Sequence, residues 1–143
     1  MRLQAKPLRK FGPKVSRWGK WQRKQRTVVV FRCHSKCERC GVYGQSLEWH
    51  HAFKRANLIG EPWASLAELT TALCIDCHRE VENHPERNDS LRVAALQRLS
   101  ERYSLTLRDD DLLDPLATIR RFTDLLDDAG YHYDPDSNRI ESP

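Results

Sequence analysis

Cys37-Glu38-Arg39-Cys40-Gly41, Glu48-Trp49-His50-His51 and Leu73-Cys74-Ile75-Asp76-Cys77-His78 mark out the stretch, residues 37 to 82, whose reading decides the fold. Two Cys-x-x-Cys pairs bracket a tandem histidine, and a third histidine follows directly on the last cysteine. Four thiolates complete the tetrahedron of one Zn²⁺, so a site made of Cys37, Cys40, Cys74 and Cys77 is closed and structural. His50, His51 and His78 then lie outside the needs of that ion, beside a rigid staple and available for other chemistry. Cys33 stands four residues before Cys37 rather than three and reads as a small buried hydrophobe. His34 could replace a cysteine in principle, but the regular pairs make that substitution unnecessary. Gly41 follows the first pair, where a tight turn around a metal favours a residue tolerant of positive φ.

With 143 residues the chain is long enough for one domain of ordinary size and too short for two independent cores. Hydrophobic residues make up 39% and charged residues 31%, so a metal staple would help a small central module to fold. Five cysteines without an apolar leader argue against a secreted disulfide framework, and cytoplasm is the expected location. No apolar run approaches the roughly 18 residues of a membrane span.

The net charge of +4 conceals an asymmetry. Residues 1–36 hold twelve lysines and arginines and no acid, which leaves −8 for the rest of the chain. Arg17, Lys20, Arg23, Lys24 and Arg26 fall in this stretch and are the expected contacts to a phosphate backbone. A solvated tail and an Arg-rich transit peptide are the blander readings of the same run.

Pro7, Gly12 and Pro13 predict an extended arm over about 1–14. Trp18, Trp21, Gln25, Val28 and Arg32 recur at helical spacing from about Ser16 to Cys33, with Ser16 as cap, although Thr27–Phe31 is β-prone by composition. The two tryptophans read as core packing. Short strands are expected over 46–51 and 70–73, separated by a loop over 52–67. Asp76 is expected to cap a helix from Cys77 to about Asn83 that Pro85 ends. Two amphipathic helices come next. One spans about Ser90–Tyr103, with Leu91, Ala95, Leu99 and Tyr103 on one stripe; the other starts at Asp114-Pro115 and stops before Gly130. From Glu101 onward eleven acids face five arginines, and these helices are expected to pack on the core or support a homodimer.

The middle of the chain resembles the HNH endonuclease family in its zinc-knuckle form, common among phage and restriction proteins. The matching residues are Cys37–Gly41, Leu47–His51 and Leu73–Val81, within about four-tenths of the chain. The resemblance implies an α+β fold: a small ββα-metal (His-Me finger) core over 30–88, stapled by the four-cysteine zinc site. A basic arm and helix over 1–29 and a C-terminal helical extension over 89–143 would flank it. It implies metal-dependent hydrolysis of DNA phosphodiester bonds, with His51 as general base and His50, His78 and Glu82 around a catalytic divalent ion. His78 and Glu82, four apart, share one helix face, whereas His84 is rotated away. Mg²⁺ or Mn²⁺ is the expected ion, with Ni²⁺ or Zn²⁺ as alternatives.

One position departs from the family. Its central asparagine, which orients the base, falls here on Leu69, or on Glu68 if one residue is inserted; Glu68 is therefore counted with the catalytic residues, and Asn57 in the loop is a further candidate. Adjacent strand residues point to opposite faces, so His50 and His51 share a site only where the strand ends or twists. The missing asparagine motivates a second hypothesis, a zinc-stabilised DNA-binding module whose nuclease site has decayed. A third is an adaptor that uses its acidic C-terminal helices in a phage packaging complex. RNA stays open as a substrate beside DNA.

Overall fold

The run that reads as either helix or strand before the first cysteine pair is helical, and its ties to the rest of the chain explain why. α1 spans Arg17–Cys33. Val29 and Cys33, four apart, bury against Ala67 and Ala72. Gln25 Oε1 accepts from Ala67 N at 2.8 Å, and Arg32 Nη1 donates to Ala67 O at 2.8 Å. These long-range ties override the β preference of Thr27–Phe31 and leave Val28, Val30 and Phe31 exposed. Cys33 is buried, as expected of a spare thiol. A computed structural model describes residues 17–44, 46–54, 58, 61, 63, 66–137 and 139–143, with residues 17–22 by backbone only. The arm over 1–14, the Ser16 cap, Asn57 and the side chains of Arg17, Trp18, Lys20 and Trp21 lie outside what is described.

His34 and Ser35 adopt left-handed φ of 52° and 61° and turn the chain out of α1 into a small hairpin. Lys36 bridges Tyr43, Cys37 N donates to Val42 O at 2.9 Å, and Gly41 N donates to Cys37 O at 2.9 Å. At Gly41 φ is +79° with open space around the missing Cβ, so backbone conformation, not room, calls for glycine.

β1 (Glu48–His51) and β2 (Thr70–Leu73) pair antiparallel, with His50 opposite Thr71 and His51 opposite Thr70. Glu38 occupies the other edge of β2: its N donates to Ala72 O at 2.8 Å and its Oε1 accepts from Ala72 N at 2.9 Å. Burial works to protonate Glu38, but the Arg32 fork and the Ala72 amide hold its carboxyl below the usual range. The open edge of a two-stranded sheet is thereby covered.

α2 runs Ile75–Asn83, close to expectation, but its cap is Cys74, whose Sγ accepts from Cys77 N at 3.4 Å; Asp76 sits inside the first turn. A 3₁₀ turn over Pro85–Asn88 leads into α3 (Asp89–Tyr103). After it come α4 (Asp109–Leu113), α5 (Pro115–Ile119) and α6 (Phe122–Asp128). The single helix expected between Asp114 and Gly130 is interrupted at Arg120–Arg121, where Arg121 N bonds Thr118 O three residues back and its side chain reaches Asp111. Asp114 does cap α5, accepting from Ala117 N. A hairpin of β3 (His132–Asp134) and β4 (Arg139–Glu141) ends the chain, where the sequence pattern predicts no strand. The protein is thus a small α+β fold with two small antiparallel sheets.

The C-terminal helices close over the sheet and over Phe53, Leu58, Trp63 and Leu66 between its strands. Phe53, Leu69, Leu73, Leu99, Ile119, Phe122 and Leu126 are nearly inaccessible, and Trp63 lies 4.9 Å from Phe122 between ring centroids. Among the described residues, no helix is long and apolar enough to cross a membrane.

Glu68 belongs to this framework. It lies in the 3₁₀ turn Ala67–Leu69, buried, with both carboxylate oxygens accepting from Arg102 Nη1 at 3.0 Å. Arg98 Nε donates to Glu68 O at 2.9 Å; burial lowers the Arg98 pKa to about 10, which leaves it charged at neutral pH. We expect Glu68→Gln to lower stability by about 1–2 kcal/mol in denaturant unfolding.

Candidate metal centres

The four paired cysteines meet. The sulfurs of Cys37, Cys40, Cys74 and Cys77 all lie within 4.8 Å of one another, with Cys40 and Cys74 3.8 Å apart. Each pair forms a tight turn in which backbone N–H groups point at the leading sulfur: Arg39 N and Cys40 N reach Cys37 Sγ at 3.4 and 3.5 Å, and Cys77 N reaches Cys74 Sγ. Burial opposes ionisation of Cys37, yet the N–H donors of Cys40, Cys74 and Arg39 outweigh it and bring its pKa down to about 6. Burial and the neighbouring thiols push Cys77 up to about 12, against the donation of Arg39 Nη1 to its sulfur at 3.6 Å. The Cys37 thiolate therefore forms readily, whereas Cys77 keeps its proton until a cation replaces it. This four-cysteine cluster can hold a metal such as zinc, and Cys33 is not part of it.

A second group converges beside it. His50, His78 and Glu82 each offer a ligand atom within 4.8 Å of the others. Glu82 Oε1 lies 3.4 Å from His78 Nε2 and 3.9 Å from His50 Nδ1, and the two rings meet edge-on at 5.2 Å between centroids. β1 supplies His50, and α2 supplies His78 and Glu82 one turn apart. The outer ring nitrogens are both engaged: His78 Nδ1 with Glu48 Oε1 at 2.7 Å, His50 Nε2 with Asn88 Oδ1 at 2.8 Å. That is how outer partners orient imidazoles that present their inner nitrogens to an ion. Burial, with His78 beside it, lowers the pKa of His50 and keeps it neutral at pH 7, while Asn88 and Glu82 act the other way. Two imidazole nitrogens and one carboxylate oxygen fit a divalent transition metal, with room for exogenous ligands.

Of the residues expected at the site, His50, His78 and Glu82 are brought together, and the four cysteines form a separate group. His51 is the last residue of β1, so the pleat turns it away from the face of His50 at the point where the strand stops. Glu68 stays with Arg102, in the turn before β2. His84 lies apart from the cluster and faces Glu86 at 3.6 Å. Arg23, Lys24 and Arg26 are exposed on α1. Two residues of the site are not apparent from the motifs. Glu48 carries a faint signal, since it is two before His50 and shares its strand face; Asn88 carries none, being 38 residues from its partner.

Comparison with protein-family models, with curated proteins and with solved structures finds no match to this chain. The functional reading therefore rests on the site itself.

A thiol whose pKa is depressed by folding stabilises the fold above its unfolded pKa, near 8.5–9, and loses that contribution as pH falls through its folded value. A raised thiol loses its contribution as pH climbs beyond that unfolded value. The thermal midpoint of the reduced, metal-free chain should therefore rise from about pH 6 to pH 9 and fall above it. Calorimetry on Cys37→Ser should show a flatter slope between pH 6 and 9.

Proposed function

We propose that this chain is a metal-dependent endonuclease of the HNH type that hydrolyses DNA phosphodiester bonds. The observation that carries this reading is the convergence of His50, His78 and Glu82 apart from the four sulfurs. The same sulfurs, held at the turn after α1 and the start of α2, suit a structural zinc. β1, β2 and α2 then serve as the ββα-metal core. The donor set of two imidazoles and a carboxylate favours Mn²⁺, Zn²⁺ or Ni²⁺ over Mg²⁺, which takes oxygen ligands.

When bound, such an ion polarises the scissile phosphate and offsets the negative charge that builds on the leaving oxygen. His51 takes a proton from water, and the resulting oxygen attacks phosphorus in line with the leaving group. The bond from phosphorus to the 3′-oxygen breaks, and a proton from solvent completes the 3′-hydroxyl opposite a 5′-phosphate. His51 follows His50 in β1 and is not among the three converging ligand atoms, which supports a base separate from the ligands. Arg23, Lys24 and Arg26, all exposed on an otherwise acid-free helix, would grip the phosphate backbone.

Leu69 is buried in the core and offers no amide to any histidine, which favours the decayed DNA-binding module as the second reading. Relaxation of supercoiled plasmid across Mg²⁺, Mn²⁺, Zn²⁺ and Ni²⁺ separates the two. We expect cutting by the wild type and a loss of about 10²–10⁴-fold in His51→Ala with zinc retained. Equal cutting by both removes His51 from the mechanism, and salt-sensitive binding with no cutting under any metal selects the binding module. Charge reversal at Arg23, Lys24 and Arg26 should weaken DNA binding for every sequence and reduce the slope of log K against log salt by about 1 per lost contact.

A further inference from the structure

His50 and His78 are held from behind by different groups, and the difference assigns a role to a residue outside the motif. Asn88 sits at the end of the 3₁₀ turn before α3, only 4% exposed, against His50 at 5%. Its amide nitrogen donates to Ala52 O at 2.8 Å, and Arg92 Nε donates to the same carbonyl at 3.1 Å. A carbonyl only accepts, so the –NH₂ end of Asn88 must face Ala52 and Oδ1 must face His50. That oxygen in turn only accepts, so His50 carries its proton on Nε2. A neutral imidazole has one N–H, and Nδ1 is left with the lone pair that faces Glu82.

We propose that Asn88 is a positioning residue for the second metal cluster: it selects the tautomer of His50 that can bind a cation, and it makes α3 a working part of the site. The proposal rests on the metal-dependent reading above. It distinguishes Asn88 from Glu48, the partner of His78. Glu48 is 48% exposed, so water replaces its carboxylate when it is removed. Behind His50 there is no such access, and no described side chain other than Asn88 is hydrogen-bonded to its Nε2.

The test uses the full chain loaded with one zinc per molecule and titrates Mn²⁺ as probe, reading free ion by its paramagnetic resonance. Asn88→Leu should weaken Mn²⁺ binding about 10–100-fold with zinc content unchanged. Asn88→Asp keeps an acceptor for the Nε2–H but loses the donor to Ala52; it should bind Mn²⁺ within a few-fold of wild type while melting at lower temperature. Glu48→Ala should lose less affinity than Asn88→Leu. Should Asn88→Leu fail to fold, Asn88→Ser removes the acceptor at that reach and is read in the same way. Wild-type affinity in Asn88→Leu overturns the proposal, and so does an Asn88→Asp that loses as much as Asn88→Leu, since the contact to Ala52 would then be what matters. A wild-type chain that takes up zinc and no Mn²⁺ overturns the metal-site reading itself, and this inference with it.

Discussion

Cys77 and His78 are neighbours in the chain and belong to different clusters, and that adjacency governs the geometry of the whole centre. The sulfur cluster ties the first turn of α2 to the hairpin after α1, and Cys74 also caps the helix. Once that turn is placed, helix geometry fixes the next two candidate ligands: His78 and then Glu82 emerge on one face, a single turn apart. β1 brings His50 to that face from the other side. Arg39 adds a covalently independent tie, reaching both Cys77 and Glu80, while Arg87 holds Glu80 from the far end of α2. The position of the imidazole cluster is therefore a consequence of where the sulfurs meet.

A second consequence of modest apolar content is that charged side chains complete the backbone hydrogen bonding around the sheet. The turn Ala67–Leu69 enters β2 with carbonyl groups that the two-stranded ladder cannot satisfy. Arg32 donates to Ala67 O and Thr70 O, and Arg98 donates to Glu68 O. Arg102 neutralises the Glu68 carboxylate. These arginines come from α1 and α3, helices at the two ends of the motif-bearing stretch. α3 also supplies Arg92, which shares the Ala52 carbonyl with Asn88. The segments that carry no recognisable motif are thus what hold the motif-bearing strands in register.

The features legible in the sequence are local or periodic. The Cys-x-x-Cys spacing foretells the sulfur cluster, the i,i+4 relation of His78 and Glu82 foretells their shared face, and the bounds of β2 and of α3 emerge from apolar pattern and punctuation. The features that escape are decided over long sequence distances or by competition between donors. Cys74 outcompetes Asp76 as cap because the sulfur needs the Cys77 N–H for its own turn. Glu68 aligns with the family's central asparagine in the sequence if one residue is inserted, but its partner Arg102, 34 residues away, cannot be read there. The break at Arg120–Arg121 and the β3–β4 hairpin have no strong local signal, since their strands are three residues long and rich in charge. The tandem histidine is legible as an alternation, and β1 keeps it: His50 faces the cluster and His51 does not.

The two donor sets explain why this small chain separates its clusters rather than merging them. A tetrahedron of sulfurs is saturated; it has no open position for water or phosphate, and its soft ligands hold a zinc-like ion tightly. Two imidazoles and a carboxylate would leave coordination positions free and bind an ion more weakly. Had His50 or His78 entered the sulfur group, one cysteine would be displaced and both properties lost. Keeping Cys77 and His78 adjacent on a helix prevents this, because successive side chains diverge by about 100° around the axis. The two candidate metal centres then lie within one residue of each other without sharing a ligand.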